Sequence, residues 1–153
     1  MPRGVSEDST PEEAFSGSPR GLELFHAVEA MLASPTPPEV RATKSQVAFR
    51  EKRGFAYLWW PGRYLDSAVP AVLSIALSER IESARFKEVV NPSPGVWMHH
   101  LELHAVDELD AEVAGWLRDK QGFDEVLSLD GGIVSWYAEF NQHRIVVTRS
   151  EDH

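Results

Sequence analysis

Residues 96–106 read V-W-M-H-H-L-E-L-H-A-V and follow the turn-forming sequence N-P-S-P-G at residues 91–95. In a β-strand, alternate side chains leave opposite faces of the sheet. One face of this strand would carry Trp97, His99, Leu101 and Leu103. The other face would carry Met98, His100, Glu102 and His104. The pattern therefore predicts a strand with one packing face and one chemically equipped face.

Four more strand-like segments lie upstream of residue 96, each apolar throughout or alternating between polar and apolar residues. They span residues 39–50, 55–60, 71–77 and 85–90. The polar sequence E-K-R-G at residues 51–54 predicts a hairpin turn between the first two. Together with residues 96–106, these segments predict an antiparallel sheet of about five strands.

Helices are predicted on both sides of this sheet along the chain. The sequence T-P-E-E at residues 10–13 has the hydroxyl, proline and glutamate of a capped helix start, and Ser18-Pro19 repeats the first two features. An apolar stripe at helical spacing follows, formed by Leu22, Phe25, Val28, Met31 and Leu32. After the sheet, Asp107 is predicted to cap a second long helix, whose stripe consists of Leu109, Val113, Trp116 and Leu117. The order of elements predicts an α+β fold, with an antiparallel sheet packed against N-terminal and C-terminal helices.

The domain organisation follows from these elements. We expect residues 1–9 to be a flexible N-terminus and residues 10–121 to form a single α+β domain. Residues 122–153 are predicted to be a C-terminal extension, a β meander packed on the same domain. Residues 133–140 within it fit a short helix equally well.

Composition narrows the function classes. A formal net charge of -9 disfavours attraction to nucleic-acid phosphates or to anionic lipid. The chain has no cysteine, which excludes thiol nucleophiles and thiolate metal sites and fits a reducing cytoplasm. No apolar run approaches the roughly 18 residues of a membrane helix, and the N-terminal sequence has no secretory h-region. The expectation is a cytoplasmic protein without a membrane partner and without nucleic acid as its main partner.

Cationic and polar side chains recur on one side of the predicted sheet. Lys44, Gln46 and Arg50 share a face of segment 39–50, and Lys87 lies on a later strand. If these strands are neighbours, the side chains converge with His100 on a site for a carboxylate or phosphate group. Charge pairing with acids such as Glu88 and Glu102 is the alternative interpretation.

The sequence H-x-E-x-H offers a second interpretation of the equipped strand. His100, Glu102 and His104 supply imidazole and carboxylate groups, which are ligands for a divalent metal such as zinc. His100 and His104 are four residues apart, which on a flat strand is roughly 13 Å, so all three side chains cannot easily hold one ion. Two residues at i and i+2 could bind a metal together if a third ligand came from elsewhere in the chain. A divalent metal is the only cofactor that the sequence suggests. Histidines that hydrogen-bond locally on a covered strand are the structural alternative.

Several motifs in order make residues 10–120 resemble the bacterial family catalogued as domain of unknown function 5655. The motifs are T-K-S-Q-V-A-F at 43–49, G-F-A-Y-L-W at 54–59, R-F-K-E-V-V at 85–90, P-G-V-W-M-H-H-L-E-L at 94–103 and D-E-L-D-A-E-V-A-G-W-L-R at 107–118. The resemblance implies a compact bacterial cytoplasmic domain and transfers no activity or ligand. Residues 122–140 also resemble the closing segment of a rhodanese-type sulfurtransferase, but the chain lacks the cysteine that carries sulfur in such enzymes.

The sequence as a whole predicts a binding or regulatory module, acting on a small anion or a protein partner, in preference to an enzyme. Its predicted ligand-binding residues are Lys44, Gln46, Arg50, Lys87 and His100. A metal-dependent hydrolase using the H-x-E-x-H face and a nucleic-acid-associated accessory domain are the alternatives. The sequence is compatible with a monomer or a homodimer.

Overall fold

The computed structural model describes residues 9–34 and 36–120 of the chain. Its helices are α1 (Pro11–Ala14), α2 (Pro19–Met31) and α3 (Ala111–Arg118), and its strands are β1 (Glu39–Ala42), β2 (Val47–Glu51), β3 (Arg53–Trp59), β4 (Ala71–Leu77), β5 (Phe86–Ser93) and β6 (Val96–Leu103). Single 3-10 turns occupy Pro61–Arg63 and Val106–Glu108. The predicted C-terminal meander, its rhodanese-like segment and all of the predicted flexible N-terminus except Ser9 lie outside the described residues.

The helix starts follow the capping chemistry of the sequence. The Thr10 hydroxyl accepts a hydrogen bond from the Glu13 N–H, and the Glu13 carboxylate accepts one from the Thr10 N–H, which completes the predicted capping box. At α2, the Ser18 hydroxyl accepts from the Gly21 N–H and donates to the carbonyl of Pro70. Ser18 therefore caps its helix and also ties it to the chain just before β4. At the other helix, the predicted cap is wrong by three residues, because Asp110 caps α3 and Asp107 lies in the preceding 3-10 turn.

The six strands form one antiparallel sheet in the order β1-β2-β3-β4-β6-β5. The α+β class and the antiparallel sheet are confirmed. The sequence predicted one strand fewer, because residues 39–50 form two strands joined by a turn at residues 43–46. In that turn, the Thr43 hydroxyl accepts hydrogen bonds from the N–H groups of Ser45 and Gln46, which folds the chain back on itself.

Two irregularities mark the outer strand β5. Its pairing with β6 shifts in register between Phe86 and Glu88 and again between Val90 and Ser93. Pro92 lies within the second shift. At the opposite edge, β1 has only four residues, and Ser9 bridges to Ala42.

One face of the sheet packs against the helices, and we call it the helix face. Its buried side chains include Phe49, Leu58, Leu73, Ile75, Leu101 and Leu103, which join Leu24, Phe25 and Val28 of α2 and Val113, Trp116 and Leu117 of α3 in one apolar cluster. Burying a leucine or isoleucine side chain stabilises a fold by about 1.5–3 kcal/mol. This cluster is thus the main core of the described domain. None of the helices in the described ranges is long and apolar enough to cross a membrane.

Arg85 clamps the start of β5 to the start of α3. Its guanidinium lies 3.1 Å from the Asp110 carboxylate and 2.8 Å from the Glu112 carboxylate, and it donates to the carbonyl of Glu108 at 2.8 Å. It also lies over the Trp116 ring. The Val113 N–H and the Arg85 guanidinium together hold the pKa of Asp110 below its ordinary value.

Replacing Arg85 with methionine is expected to lower the free energy of unfolding by about 1–2 kcal/mol, because the charged hydrogen bonds are lost while an unbranched side chain remains over the indole. Urea denaturation measures this loss. Arg80→Met is the matched control, since Arg80 is an exposed arginine paired with Glu82, and it should change stability by less than about 0.5 kcal/mol. Equal effects in the two variants would contradict the clamp.

Candidate binding face

The second face of the sheet carries the polar side chains of the strands, and we call it the polar face. The register of the strands and the alternation of side chains place on it Gln46, Ala48, Arg50, Tyr57, Trp59, Val72, Ser74, Ala76, Lys87, Glu88, Val90, Met98, His100 and Glu102. Its apolar members form a second, smaller cluster, against which Leu65 and Val69 of the loop before β4 pack. The polar members Gln46, Ser74 and His100 are at most 1% exposed. The two faces of one sheet therefore differ sharply in polarity.

The predicted alternation along β6 is confirmed up to Leu103. Leu101 and Leu103 belong to the helix-face core, whereas Met98 belongs to the polar-face cluster. His99 faces the helices, where its Nε2 accepts a hydrogen bond from the Ile81 N–H and its Nδ1 donates to the carbonyl of Trp97. Burial lowers the pKa of His99, and both hydrogen bonds suit a neutral ring. His99 therefore acts as a structural link between β6 and the chain before β5.

A buried hydrogen-bonded chain crosses the centre of the polar face. The indole N–H of Trp59 donates to the Ser74 hydroxyl at 3.0 Å, and that hydroxyl lies 2.7 Å from Nδ1 of His100. The rings of Trp59 and His100 meet edge to face. These hydrogen bonds link β3, β4 and β6 through side chains, and they fix the orientation of the His100 imidazole.

His100 is neutral under ordinary conditions. Complete burial, followed by the neighbouring charge of His99, lowers its pKa to about 3. Glu88 stands opposite His100 in the pairing of β5 with β6. At neutral pH the imidazole offers hydrogen bonding and no positive charge to a ligand.

The cationic residues of the predicted anion site are spread across the sheet. Lys44 is exposed in the turn between β1 and β2. Arg50 lies 3.4 Å from the Glu39 carboxylate, and Lys87 lies 3.4 Å from the Glu102 carboxylate. Four strand spacings separate β2 from β5, which is about 19 Å. The fold thus places Gln46, Arg50, Lys87 and His100 on one face without bringing all four to one point.

The residues predicted to bind metal occupy three different environments. The His100 ring contacts Ser74, and Glu102 pairs with Lys87. His104 lies beyond the end of β6, where its N–H donates to the Glu108 carboxylate at 2.7 Å. Within residues 9–34 and 36–120, no three His, Asp or Glu side chains are grouped so as to hold a metal ion. Metal binding by this chain stays a prediction.

Gln46 is the polar residue with the most unusual surroundings. It is 1% exposed, and neither its side-chain nitrogen nor its side-chain oxygen has a hydrogen-bond partner among the residues that the structure describes. Its backbone is fixed, because its N–H donates to the Thr43 hydroxyl and its carbonyl accepts from the Thr43 N–H at 2.8 Å. Extension of the β2–β3 register places it opposite Trp59. A buried side-chain amide whose backbone is fixed requires hydrogen-bond partners, because buried polar groups are rarely left without them.

The sequence pattern predicted Gln46 and His100 as ligand-binding residues, but it did not assign such a role to Ser74 and Trp59. Ser74 had a usable signal, because it is the one polar residue in the run A-V-L-S-I-A-L of β4. A lone hydroxyl in a strand buried on both faces needs a hydrogen-bond partner. Trp59 had no such signal, because its neighbours are apolar and its role depends on the register of β3 with β4.

An antiparallel sheet with one apolar, helix-covered face and one face of mixed polar and apolar side chains defines an α+β domain. The chain belongs to the family described as Domain of unknown function (DUF5655), whose profile matches residues 12–125. This confirms the family resemblance of the sequence motifs. A comparison with the curated proteins gave no significant match. A comparison with the solved structures gave none either.

Proposed function

We propose that this domain is a binding module for a small polar ligand and that the polar face is its binding surface. The observation that carries the proposal is the contrast between the two faces of one sheet. A face that serves mainly for packing is stable with predominantly apolar side chains, as on the helix face, where His99 is a buried polar exception. Buried polar groups cost free energy unless they are satisfied, so their concentration at Gln46, Ser74 and His100 favours recognition of a ligand.

The chemistry of the central chain favours binding over catalysis. A general base works best when its pKa lies near the operating pH. His100, with a pKa of about 3, is a weak base at neutral pH. The Ser74 hydroxyl accepts a hydrogen bond from the Trp59 N–H, and its other neighbour, His100, is too weak a base to activate it as a nucleophile at neutral pH. The arrangement is suited to orienting a ligand. The proposal includes a cytoplasmic setting, which the cysteine-free composition fits, and a bacterial source, which the family resemblance of the sequence motifs implies.

The indole N–H of Trp59 provides a direct test, since it lies within the polar face. In a nitrogen-15 NMR spectrum its resonance can be assigned with the variant Trp59→Phe. We expect members of a fragment library containing carboxylates, phosphates, carboxamides and nucleobases to shift this resonance saturably. The indole of Trp116, on the helix face, is the internal control and should not move.

Inorganic phosphate and acetate in the same library test the anionic class of ligand predicted from the sequence. Saturable shifts with these anions, reduced in Lys87→Met, would identify an anion site near Lys87. If no fragment shifts the Trp59 resonance, the polar face is a structural network and the proposed function is wrong.

A further inference from the structure

We infer that the polar face recognises a planar carboxamide-type group, in which a carbonyl acceptor stands beside an N–H donor, and that the Gln46 amide is the residue that reads it. The inference rests on the proposed function, because it names the ligand class of the same face. Such groups occur in primary carboxamides and on the edges of nucleobases.

The Gln46 side chain is buried, and its polar groups have no hydrogen-bond partner among the described residues. A buried polar group without a hydrogen bond destabilises the fold that holds it, and Gln46 has both a donor and an acceptor in that condition among residues 9–34 and 36–120. Its backbone is held by Thr43 on two sides, so the whole residue cannot turn outward at low cost. The fold therefore maintains a glutamine in a place where methionine or leucine would be more stable.

The geometry of an amide determines which ligand group can satisfy the Gln46 side chain. A glutamine presents an acceptor oxygen and donor hydrogens side by side in one plane. The group that satisfies both at once has a donor beside an acceptor, as in the paired hydrogen bonds between glutamine and the edge of an adenine. A carboxylate or phosphate satisfies only the donor and leaves the Gln46 oxygen without a partner.

The charges on the polar face determine whether an ion or an uncharged group is favoured there. Arg50 and Lys87 are already near the carboxylates of Glu39 and Glu102, and His100 is neutral. Trp59 stands opposite Gln46 in the extended register, and the loop residues Leu65 and Val69 pack on the apolar cluster to which Trp59 belongs. This environment suits an uncharged planar group better than an ion.

The test compares nicotinamide with nicotinate, which differ only in the carboxamide that one carries and the carboxylate of the other. Uracil represents the edge of a nucleobase. Each compound is titrated into the protein while the Trp59 indole resonance and the melting temperature are recorded. We expect at least one of the two amide probes, nicotinamide and uracil, to bind at the polar face, and nicotinamide to bind at least about tenfold more tightly than nicotinate. The probe that binds more tightly distinguishes the two sources of the group.

The variant Gln46→Met keeps the length of the side chain and removes the amide. It should weaken binding of the amide probe by at least about tenfold and raise the melting temperature of the unliganded protein by about 2–8 °C, because the unsatisfied groups are gone. Glu23→Met, an exposed substitution on α2, is the matched control and should change neither value.

Three results would overturn the inference: none of the amide probes binds at the polar face, nicotinate binds as tightly as nicotinamide, or Gln46→Met binds the amide probe like the unaltered protein. A lower melting temperature in Gln46→Met would also overturn it, because a bound water would then satisfy the amide. If carboxylates or phosphates nevertheless shift the Trp59 resonance, the proposed function stands without this ligand class.

Discussion

Replacing Ser74 with alanine is expected to lower the free energy of unfolding by about 2–5 kcal/mol. The substitution removes one oxygen atom, but that oxygen accepts from the Trp59 N–H and lies 2.7 Å from Nδ1 of His100. Both groups are in the buried centre of the polar face, and depriving a buried donor or acceptor of its partner costs about 1–3 kcal/mol. Chemical denaturation of the unaltered protein and the variant measures the difference.

A double-mutant cycle with Trp59→Phe separates this loss from a simple packing defect. In the Trp59→Phe background, Ser74→Ala should cost about 1–2 kcal/mol less, because one of the two deprived groups is already absent. Ser78→Ala, just after β4, is the matched control, since Ser78 is exposed, and it should change stability by less than about 0.5 kcal/mol. Additive effects of the two substitutions at positions 59 and 74 would show that the hydrogen bonds between Trp59, Ser74 and His100 do not act as a unit.

Acidification is expected to destabilise the protein well above the range in which carboxylates titrate. The unfolded chain binds a proton at His100 near pH 6.5, whereas the folded protein does so only near pH 3. The stability that neutral His100 contributes is therefore complete above pH 6.5 and is lost as the pH falls toward 3. The slope is about 1.4 kcal/mol per pH unit for each histidine kept neutral, and His99 adds to it because its pKa is also lowered.

The variant His100→Asn isolates one of the two histidines, because the asparagine amide can either donate to or accept from the Ser74 hydroxyl in place of Nδ1. Between pH 6.5 and 4.5 its stability should fall less steeply than that of the unaltered protein, by about 1.4 kcal/mol per pH unit. Asp110, whose pKa is lowered from 3.8, loses its contribution below this window and does not interfere. An unchanged slope in the variant, or NMR signals of a protonated His100 ring at pH 6, would contradict the assignment.

The fold was largely predictable from local patterns, and its one strand-level error has a local cause. The helix caps at Thr10 and Ser18 and the strand at residues 71–77 follow from short-range chemistry and were correctly placed. Segment 39–50 was treated as one strand because polar and apolar residues alternate through it. The Thr43 hydroxyl breaks that strand by bonding the N–H groups of Ser45 and Gln46, an interaction that periodicity cannot represent.

The face of the sheet on which these side chains lie was predictable from the sequence, but the distances between them were not. Alternation placed His100 and Glu102 on the same side of β6, and the structure agrees. The distance between Arg50 and Lys87 depends on the order of the strands, in which β6 inserts between β4 and β5. A sequence carries no local signal for that order, so the expected convergence of five side chains could not be judged from residues alone. The partnership of Trp59 with Ser74 depends on register in the same way.

The irregular pairing of β5 bears on the tendency of this chain to aggregate through the edges of its sheet. An outer strand with regular, unpaired backbone groups is a template on which a second chain can add, and such addition leads to aggregates. Two register shifts and Pro92 interrupt that template on β5, and the four-residue length of β1 limits it at the other side. Among the described strands, neither border of the sheet therefore offers a long straight ladder to a neighbouring chain.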